Sequence, residues 1–456
     1  MNHEPSVPSG DRLFGATFPC ICGRTHTIEP REIVYADDAV RQLPAVCRRA
    51  VESGGHPHAK RVGATAPALV LMDTRTRDVA GRAAAQALAA DGWSVRELVV
   101  PDPAPGHSPV CDDVTKAALR PQLAGAAILV AVGSGVINDL GKWLAFEVGI
   151  PYACFATAVS MTGYASANVA PTVAGVKTLV DARPPFAVLA DPRVLAAAPY
   201  EMTAAGLGDA LAKNVSSADW YLNHRLFGDF YCPAAVGLVA EVEPLYLDHS
   251  ERLLAGDAQA VSGLFRAMLL VGASMTMAGT SSPASGGEHV ISHALDMMSA
   301  LDGAEHDLHG RQVGVGTILA AAVYQRVLAL DAPTWRVPAD GVDRPFWGRL
   351  ADGVSAAYAK KLPRLQKAAE TLSRPGVWPE LRSQLAAMVR PAAAMRQCLQ
   401  QARAAVHAED LGCDRARLLA AFTHAHQMRE RFTILDLARL CGVLPEAYEE
   451  VLNEEL

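Results

Sequence analysis

The stretch SGGEHVISHALDM (285–297) carries His289 and His293 in an otherwise apolar run, and His309 follows within HDLHGRQVGVGT. Imidazoles are unwelcome in a core helix, because each buries ring nitrogens that need partners. His289 and His293 are four residues apart, which places them on one face of a helix. Asp209, in AGLGDALAK, opens another helix in an apolar setting where an unpaired carboxylate is costly. One carboxylate and two imidazoles around an open position form the ligand set of a catalytic Zn2+, or of Fe2+. Spacing by itself favours a plainer reading, with His293 a packed core histidine and Asp209 a helix cap, since no HExxH-type motif is present.

A second chemistry is suggested by AVGSGVINDLGKW, where a strand turns into a helix. Gly133 and Gly135, with Ser134 between them, let the backbone approach a pyrophosphate. The amides that open the helix, at Val136 and Ile137, would then hold the anion, and the helix dipole adds to the attraction. Asp139 completes the candidate cofactor segment. The full GxGxxG fingerprint is absent, because Asn138 takes the third glycine's place, so a simple glycine turn is an equal reading. Asp73, at the end of the strand ALVLMD, is placed to bind an adenosine ribose hydroxyl, although a strand-end Asp is also a common helix cap. Arg75 and Arg77 beside it could instead accept a 2′-phosphate, which leaves NAD and NADP both open.

The elements that must position these groups follow from periodicity. Over the first ~200 residues short apolar runs alternate with helical patterns, the signature of an α/β layer structure. Strands are expected at 66–73, in SVRELVV, at 126–133 and at 150–157, with helices at 79–92 and 136–149. From 191 to 452 the pattern is mainly helical. A break at Ala198-Pro199 divides residues 1–198, a Rossmann-like dinucleotide-binding domain, from residues 199–456, an all-α metal and substrate domain. At 456 residues the chain is too long for one core, so two domains are expected. The Pro-, Trp- and Arg-rich segment 333–395 looks like a surface elaboration of the helical half.

A net charge of −7 without a long basic block argues against a nucleic-acid surface. The apolar runs are interrupted by Gly, Pro or charge before the ~20 residues a membrane helix needs. The N-terminal MNHEPSVPSGDRLFG lacks the apolar core of a secretory signal. Nine cysteines without a framework pattern suit reduced thiols, and a soluble cytoplasmic protein is expected.

The order of motifs resembles the iron-containing alcohol dehydrogenase superfamily, which shares its fold with dehydroquinate synthase, and within it the sn-glycerol-1-phosphate dehydrogenase branch. The matching stretches are LMDTRTRDVAG, VGSGVINDLGKW, TAVSMTGYASA, AGLGDALAKNVSSADW, SGGEHVISHALD, LHGRQVGVGT and RFTILDLARLCGVL. By this resemblance the metal ligands are Asp209, His289 and His309, and the substrate-contacting histidine is His293. Gly133, Ser134 and Gly135 form the nucleotide loop. Thr157 and Ser160 belong to a nicotinamide segment, and Ser166 is a further cofactor contact. The resemblance implies NAD or NADP and one divalent metal, zinc first, then iron or nickel. It also implies a small phosphorylated alcohol and ketone as substrate and product, and a homo-oligomer that binds neither nucleic acid nor membrane. Two positions depart from the pattern. Thr162 stands where the family has a substrate-contacting Asp, and Arg311 stands where an acidic residue often follows HG. Both remove negative charge from the expected pocket. A dehydroquinate-synthase-like cyclase, a dehydrogenase of this fold with a different substrate, and a non-catalytic descendant are the rival readings.

Smaller signals remain. Cys20, Cys22 and His26 in CICGRTH are three soft ligands, but a structural zinc needs a fourth and no fourth is evident in the sequence. His424 and His426 read as surface or packing residues. Lys142, Lys177 and Lys213 are candidate phosphate contacts, and Lys213 is the one placed with Thr162, Asp209 and His293 in the substrate set.

Overall fold

The computed structural model describes residues 7–8, 10–53, 66–104, 107–305 and 307–456. Residues 1–6 and 9 of the N-terminal stretch lie outside the described residues. The first half is built on a six-stranded parallel sheet. Its elements are β1 (Glu32–Tyr35), α1 (Ala39–Glu52), β2 (Ala68–Asp73), β3 (Val95–Val100), β4 (Ile128–Gly133), α2 (Gly135–Val148), β5 (Tyr152–Ala156) and β6 (Ala187–Ala190). The strand order is β1-β6-β5-β4-β2-β3. Every residue of β2, β4, β5 and β6 is buried, as expected when helices cover both faces of a parallel sheet. Between β2 and β4 the connection changes direction, and the carboxyl ends of those two strands border the crevice where such sheets take ligands. Asp73 ends β2 and Gly133 ends β4, so topology alone brings the two candidate cofactor segments to one edge.

The expected elements are present, with shifted boundaries. The strand read at 150–157 is Tyr152–Ala156, and the helix read from 79 begins with a turn at Thr74–Thr76 and passes through a wide turn at Arg77–Gly81. β1 was not anticipated, since EIVY is too short to show a period. After β6 the chain is helical. The elements that matter for the site are α3 (Tyr200–Leu211), α4 (Lys213–Phe227), α5 (Ala258–Ala278), α6 (Gly287–Asp302), α7 (His309–Leu328) and α8 (Ala351–Leu372).

Two sequence expectations are corrected here. Segment 333–395 is not a surface elaboration: Trp347, Leu365, Trp378 and Leu385 are buried in the main core. Within it, Lys361 of α8 donates to Asp436 Oδ1 at 3.1 Å in a fully buried ion pair. Its charged and proline-rich texture belongs to the outer helix faces and to the turns. In addition, α5 is long and apolar enough to span a membrane by length and composition, contrary to the reading of interrupted runs. Glycines and a single arginine do not lower its hydropathy enough to matter. Its apolar window is 83% buried inside the protein, which accounts for the composition as that of a core helix.

Candidate active site

Glycines decide where Asp209 and His309 meet. A Cβ added to Gly310 would lie 1.9 Å from the Ala205 carbonyl oxygen, and one added to Gly208 would lie 2.1 Å from the Gly310 carbonyl oxygen. Helices α3 and α7 therefore cross backbone to backbone, and the neighbouring residues Asp209 and His309 are brought into one pocket. Gly310→Ala should force the helices apart, costing ~1–3 kcal/mol or more. It should lower the melting temperature and the metal affinity together. Calorimetry with a metal titration checks this, and a lower melting point with unchanged metal affinity would sever the crossing from the site.

The donors are close. Asp209 Oδ1 lies 3.5 Å from His289 Nε2, and one ligand atom from each of Asp209, His289 and His309 falls within 4.8 Å of the others. Two ligands held ~2.0–2.1 Å from a tetrahedral ion are about 3.4 Å apart, so the spacing suits a cation. The other Asp209 oxygen accepts from the Thr162 amide at 2.7 Å, while Oδ1 is buried without a hydrogen-bond partner. An orphaned carboxylate oxygen facing imidazoles is the observation that fits a metal to this pocket.

The rings are held from behind. His289 Nδ1 is 2.8 Å from Glu288 Oε1, which leaves Nε2 facing Asp209, and His309 Nδ1 is 3.2 Å from Ser292 Oγ. A carboxylate behind a ligating histidine fixes its tautomer and raises its basicity. Burial opposes charge on His289, but the carboxylates of Asp209 and Glu288 on either side outweigh it and carry the ring up to about 9. Burial would likewise raise Asp209, yet His289 and His309 hold its carboxyl below the ordinary range. Burial and then the neighbouring His289 push His309 down to about 4. The pocket thus favours positive charge between Asp209 and His289, which is what a divalent ion would bring.

His293 is one turn beyond His289, stacked on His309 with ring centroids 5.5 Å apart. It stands outside the three-donor cluster, and its Nδ1 is buried without a partner. Burial and then Arg429 depress it well below the ordinary imidazole range, so it is a neutral ring.

At the sheet edge, Ser134 caps α2 through its backbone, and its hydroxyl bonds that of Ser160. Tyr164 donates to Ser134 Oγ at 3.1 Å, and the Thr157 amide donates to the Gly133 carbonyl at 3.3 Å. These bonds lace the loops after β4 and β5 together. Gly133 is needed for packing, because a Cβ there would lie 2.6 Å from that of Ile137. Gly135 differs: an added Cβ would meet nothing nearer than Met161 Cγ at 3.9 Å. Val136 is partly buried and Ile137 fully buried, which leaves their side chains in the packing of the turn. Asp139 turns to Asn138 Nδ2 at 3.2 Å and the Ala170 amide at 3.4 Å.

Several expected roles shift. Asp73 builds a complete capping box with Thr76, its Oδ1 accepting the amides of Arg75 at 2.9 Å and Thr76 at 2.7 Å. Arg75 is held by Asp102 at 2.7 Å, and Arg77 lies 3.3 Å from Glu97. Lys142 is no surface phosphate contact: it is fully buried and ties Gly163 O, Ser166 Oγ and Asn168 O at 2.6, 3.0 and 3.1 Å. The Ser166 hydroxyl is spent on the same knot. Lys213 points at the Ala235 carbonyl, 3.4 Å away, and its electrostatic neighbour is Glu243 rather than the histidines. Arg311 does not make the pocket positive by itself, because Asp307 accepts from its Nε at 2.7 Å. His424 stacks on Phe346 with centroids 3.7 Å apart, and His426 is buried, so both are packing residues.

Sequence reasoning missed Arg429. Partly buried, it makes no hydrogen bond or ion pair among the described residues, and burial next to Arg431 lowers it to about 10. Its charge acts on His293, as does that of Lys177, whose ammonium lies 3.9 Å from Asp296. Only the clustered arginines of QMRERF hinted at it.

Comparison with known proteins identifies the family. The family model for iron-containing alcohol dehydrogenase matches residues 55–199. The glycerol-1-phosphate dehydrogenase [NAD(P)+] of Thermococcus kodakarensis is 34% identical over 302 residues, covering 66% of this chain and 80% of the relative. That of Bacillus licheniformis is 30% identical over 430 residues, covering 93% of each. Among solved structures, the maleylacetate reductase of Rhizobium sp. superposes with a TM-score of 0.59 at 16% identity, covering 94% of this chain and 97% of that one. A probable glycerol dehydrogenase from Sinorhizobium meliloti gives 0.56 at 17% identity, covering 92% and 97%. These structural likenesses speak for the fold alone. Sequence identity sustained over most of its relatives' length shows that the chain belongs to the iron-containing alcohol dehydrogenase family, in its glycerol-1-phosphate dehydrogenase branch.

Proposed function

We propose that the chain is a metal-dependent, NAD(P)-linked dehydrogenase that interconverts sn-glycerol 1-phosphate and dihydroxyacetone phosphate. The observation that carries this reading is the orphaned Asp209 carboxylate oxygen converging with His289 and His309. Asp209, His289 and His309 would hold the metal. The borderline donor set suits zinc first, with iron or nickel able to use the same ligands. When bound, the metal would supply Lewis acidity toward the substrate oxygen, and the dinucleotide would supply the hydride chemistry. The protein's own groups do the rest. Glu288 and Ser292 fix the two ligand rings. The Thr162 amide orients Asp209, and the neutral His293 offers its free Nδ1 to the substrate hydroxyl and its proton. Thr162 supplies a buried hydroxyl where a carboxylate would repel phosphate. Lys177 and Arg429 supply positive charge beside His293 for the phosphate group.

The cofactor would lie along the edge formed by Asp73 and the Gly133–Ser134–Gly135 turn, with Thr157 and Ser160 on the adjoining loop. Gly135→Val should weaken NAD(P)H binding by roughly tenfold or more while leaving metal content intact, because a Cβ there meets only Met161 Cγ at ordinary contact distance and the added bulk stands where the pyrophosphate would approach. Fluorescence titration measures it, and unchanged affinity would make the segment a mere turn. The activity itself is tested by loading purified protein with Zn2+, Fe2+ or Ni2+ and following NADH and NADPH oxidation with dihydroxyacetone phosphate. Stoichiometric consumption of NAD(P)H supports a dehydrogenase. Turnover without net consumption would instead favour the cyclase reading, in which the dinucleotide is regenerated within each cycle.

A further inference from the structure

The N-terminal hairpin pairs Thr17–Pro19 with Thr25–Thr27, and its turn is CICGR. The Cys20 amide donates to Arg24 O at 2.9 Å and the Gly23 amide to Cys20 O at 2.9 Å, with Gly23 at φ 81°, a left-handed conformation that glycine adopts without strain. This tight turn gathers Cys20, Cys22 and His26 on one side. The fourth group comes from far along the chain. Cys232, next to Pro233 at the head of a short helix, is packed against them with its Sγ 3.7 Å from Cys20 Sγ and 3.8 Å from His26 Nε2. Cys22 Sγ lies 3.1 Å from His26 Nε2, and all four donor atoms fall within 4.8 Å of one another.

These distances have a chemical meaning. Two sulfurs each ~2.3 Å from a tetrahedral ion are about 3.8 Å apart, and a sulfur and an imidazole nitrogen are about 3.5 Å apart. A disulfide would bring its sulfurs to ~2.05 Å, and all nine cysteines are free. Cys20, His26 and Cys232 are 5%, 5% and 0% exposed, so two thiols and an imidazole converge away from solvent. Cys22 remains partly exposed, which leaves a path for an ion to enter.

We infer that Cys20, Cys22, His26 and Cys232 bind a second metal ion, a structural Zn2+ separate from the Asp209, His289 and His309 centre. Three thiolates and one imidazole fill the tetrahedron, leaving no position for substrate, so the site is architectural. Soft thiolate donors select zinc over the hard cations. The ion ties a hairpin of two three-residue strands, marginal by itself, to the chain ahead of helix Pro233–Gly237. Around it, the Arg24 guanidinium lies 3.5 Å from the Phe230 ring centroid, and Trp220 donates to Phe230 O at 2.6 Å. The corner is therefore fixed on both sides of the ion, and it includes the Ala235 carbonyl that receives Lys213.

Metal analysis tests the inference. Purified wild-type protein loaded with zinc should carry about two equivalents per chain, and Asp209→Asn should retain about one. Reconstituted with Co2+, the Asp209→Asn protein should show thiolate-to-cobalt charge-transfer bands and strong tetrahedral d–d absorption, and adding Cys232→Ser should remove both. If the serine variant fails to fold, mercurial titration of the wild-type chain gives the same reading by releasing about one equivalent of zinc to a chromophoric chelator. An Asp209→Asn protein that takes up no zinc after reduction and reloading overturns the site. So does an intact mass short by two hydrogens, which would reveal a disulfide in its place. Neither outcome depends on whether the Asp209 centre turns over.

Discussion

Asp209→Asn is expected to lower kcat/KM by roughly a thousandfold or more and to empty the catalytic metal site, while the protein stays folded and keeps its dinucleotide affinity. The magnitude follows from the several kcal/mol that a bound metal contributes to charge stabilisation in the transition state. The choice of Asn matters, because Asp209 has two duties. Its Oδ2 accepts the Thr162 amide, and its Oδ1 faces His289. An amide oxygen can keep the first bond, whereas Asp209→Ala would orphan the Thr162 amide at a cost of ~1–3 kcal/mol. The two variants should therefore lose metal alike and differ in melting temperature. Glu288→Gln provides a graded control: it leaves all three donors in place but weakens the support behind His289. It should lower metal affinity by roughly ten- to hundredfold. Metal content of dialysed proteins and metal-titrated activity measure all three. Normal occupancy in Asp209→Asn would remove the assignment outright.

Local patterns showed where histidines and glycines cluster, while the proposed ligand set came from the family resemblance. The four-residue spacing of His289 and His293 survives as one face of α6, and the glycine turn after β4 opens α2 as its position suggested. What was not legible depends on residues far apart in the chain. Nothing in CICGRTH announces Cys232, and nothing in AGLGDALAK reveals that Gly208 exists to let Gly310 touch it. Lys142 looks like a helix-surface lysine by sequence because its partners are backbone carbonyls, which have no sequence signature. Segment 333–395 misled for a related reason: its prolines and charges mark turns and outer faces, while the few tryptophans and leucines that enter the core decide where it packs. The departures at Thr162 and Arg311 also meant less than their charges implied. Arg311 is answered by Asp307, and position 162 serves the metal centre through its amide, which any residue but proline provides.

Arg429 should decide how strongly the enzyme favours a phosphorylated substrate. Its guanidinium has no partner among the described residues, and its charge is felt at His293, the ring proposed to meet the substrate hydroxyl. A half-buried cation without a counter-ion is costly unless something anionic visits it, and the phosphate of dihydroxyacetone phosphate is such a visitor. A hydrogen bond to a charged group contributes ~1.5–3 kcal/mol, so Arg429→Ala should lower kcat/KM for dihydroxyacetone phosphate by roughly ten- to hundredfold. The same variant should leave the far weaker reduction of dihydroxyacetone nearly unchanged, because that substrate has no phosphate to lose. Lys177→Met should act in the same direction but less, since Asp296 already shares its charge. Steady-state kinetics on both substrates with zinc-loaded protein separate the cases. Equal losses on both would make Arg429 a structural residue of the turn, and no loss on either would move the phosphate site elsewhere while leaving the metal centre as argued.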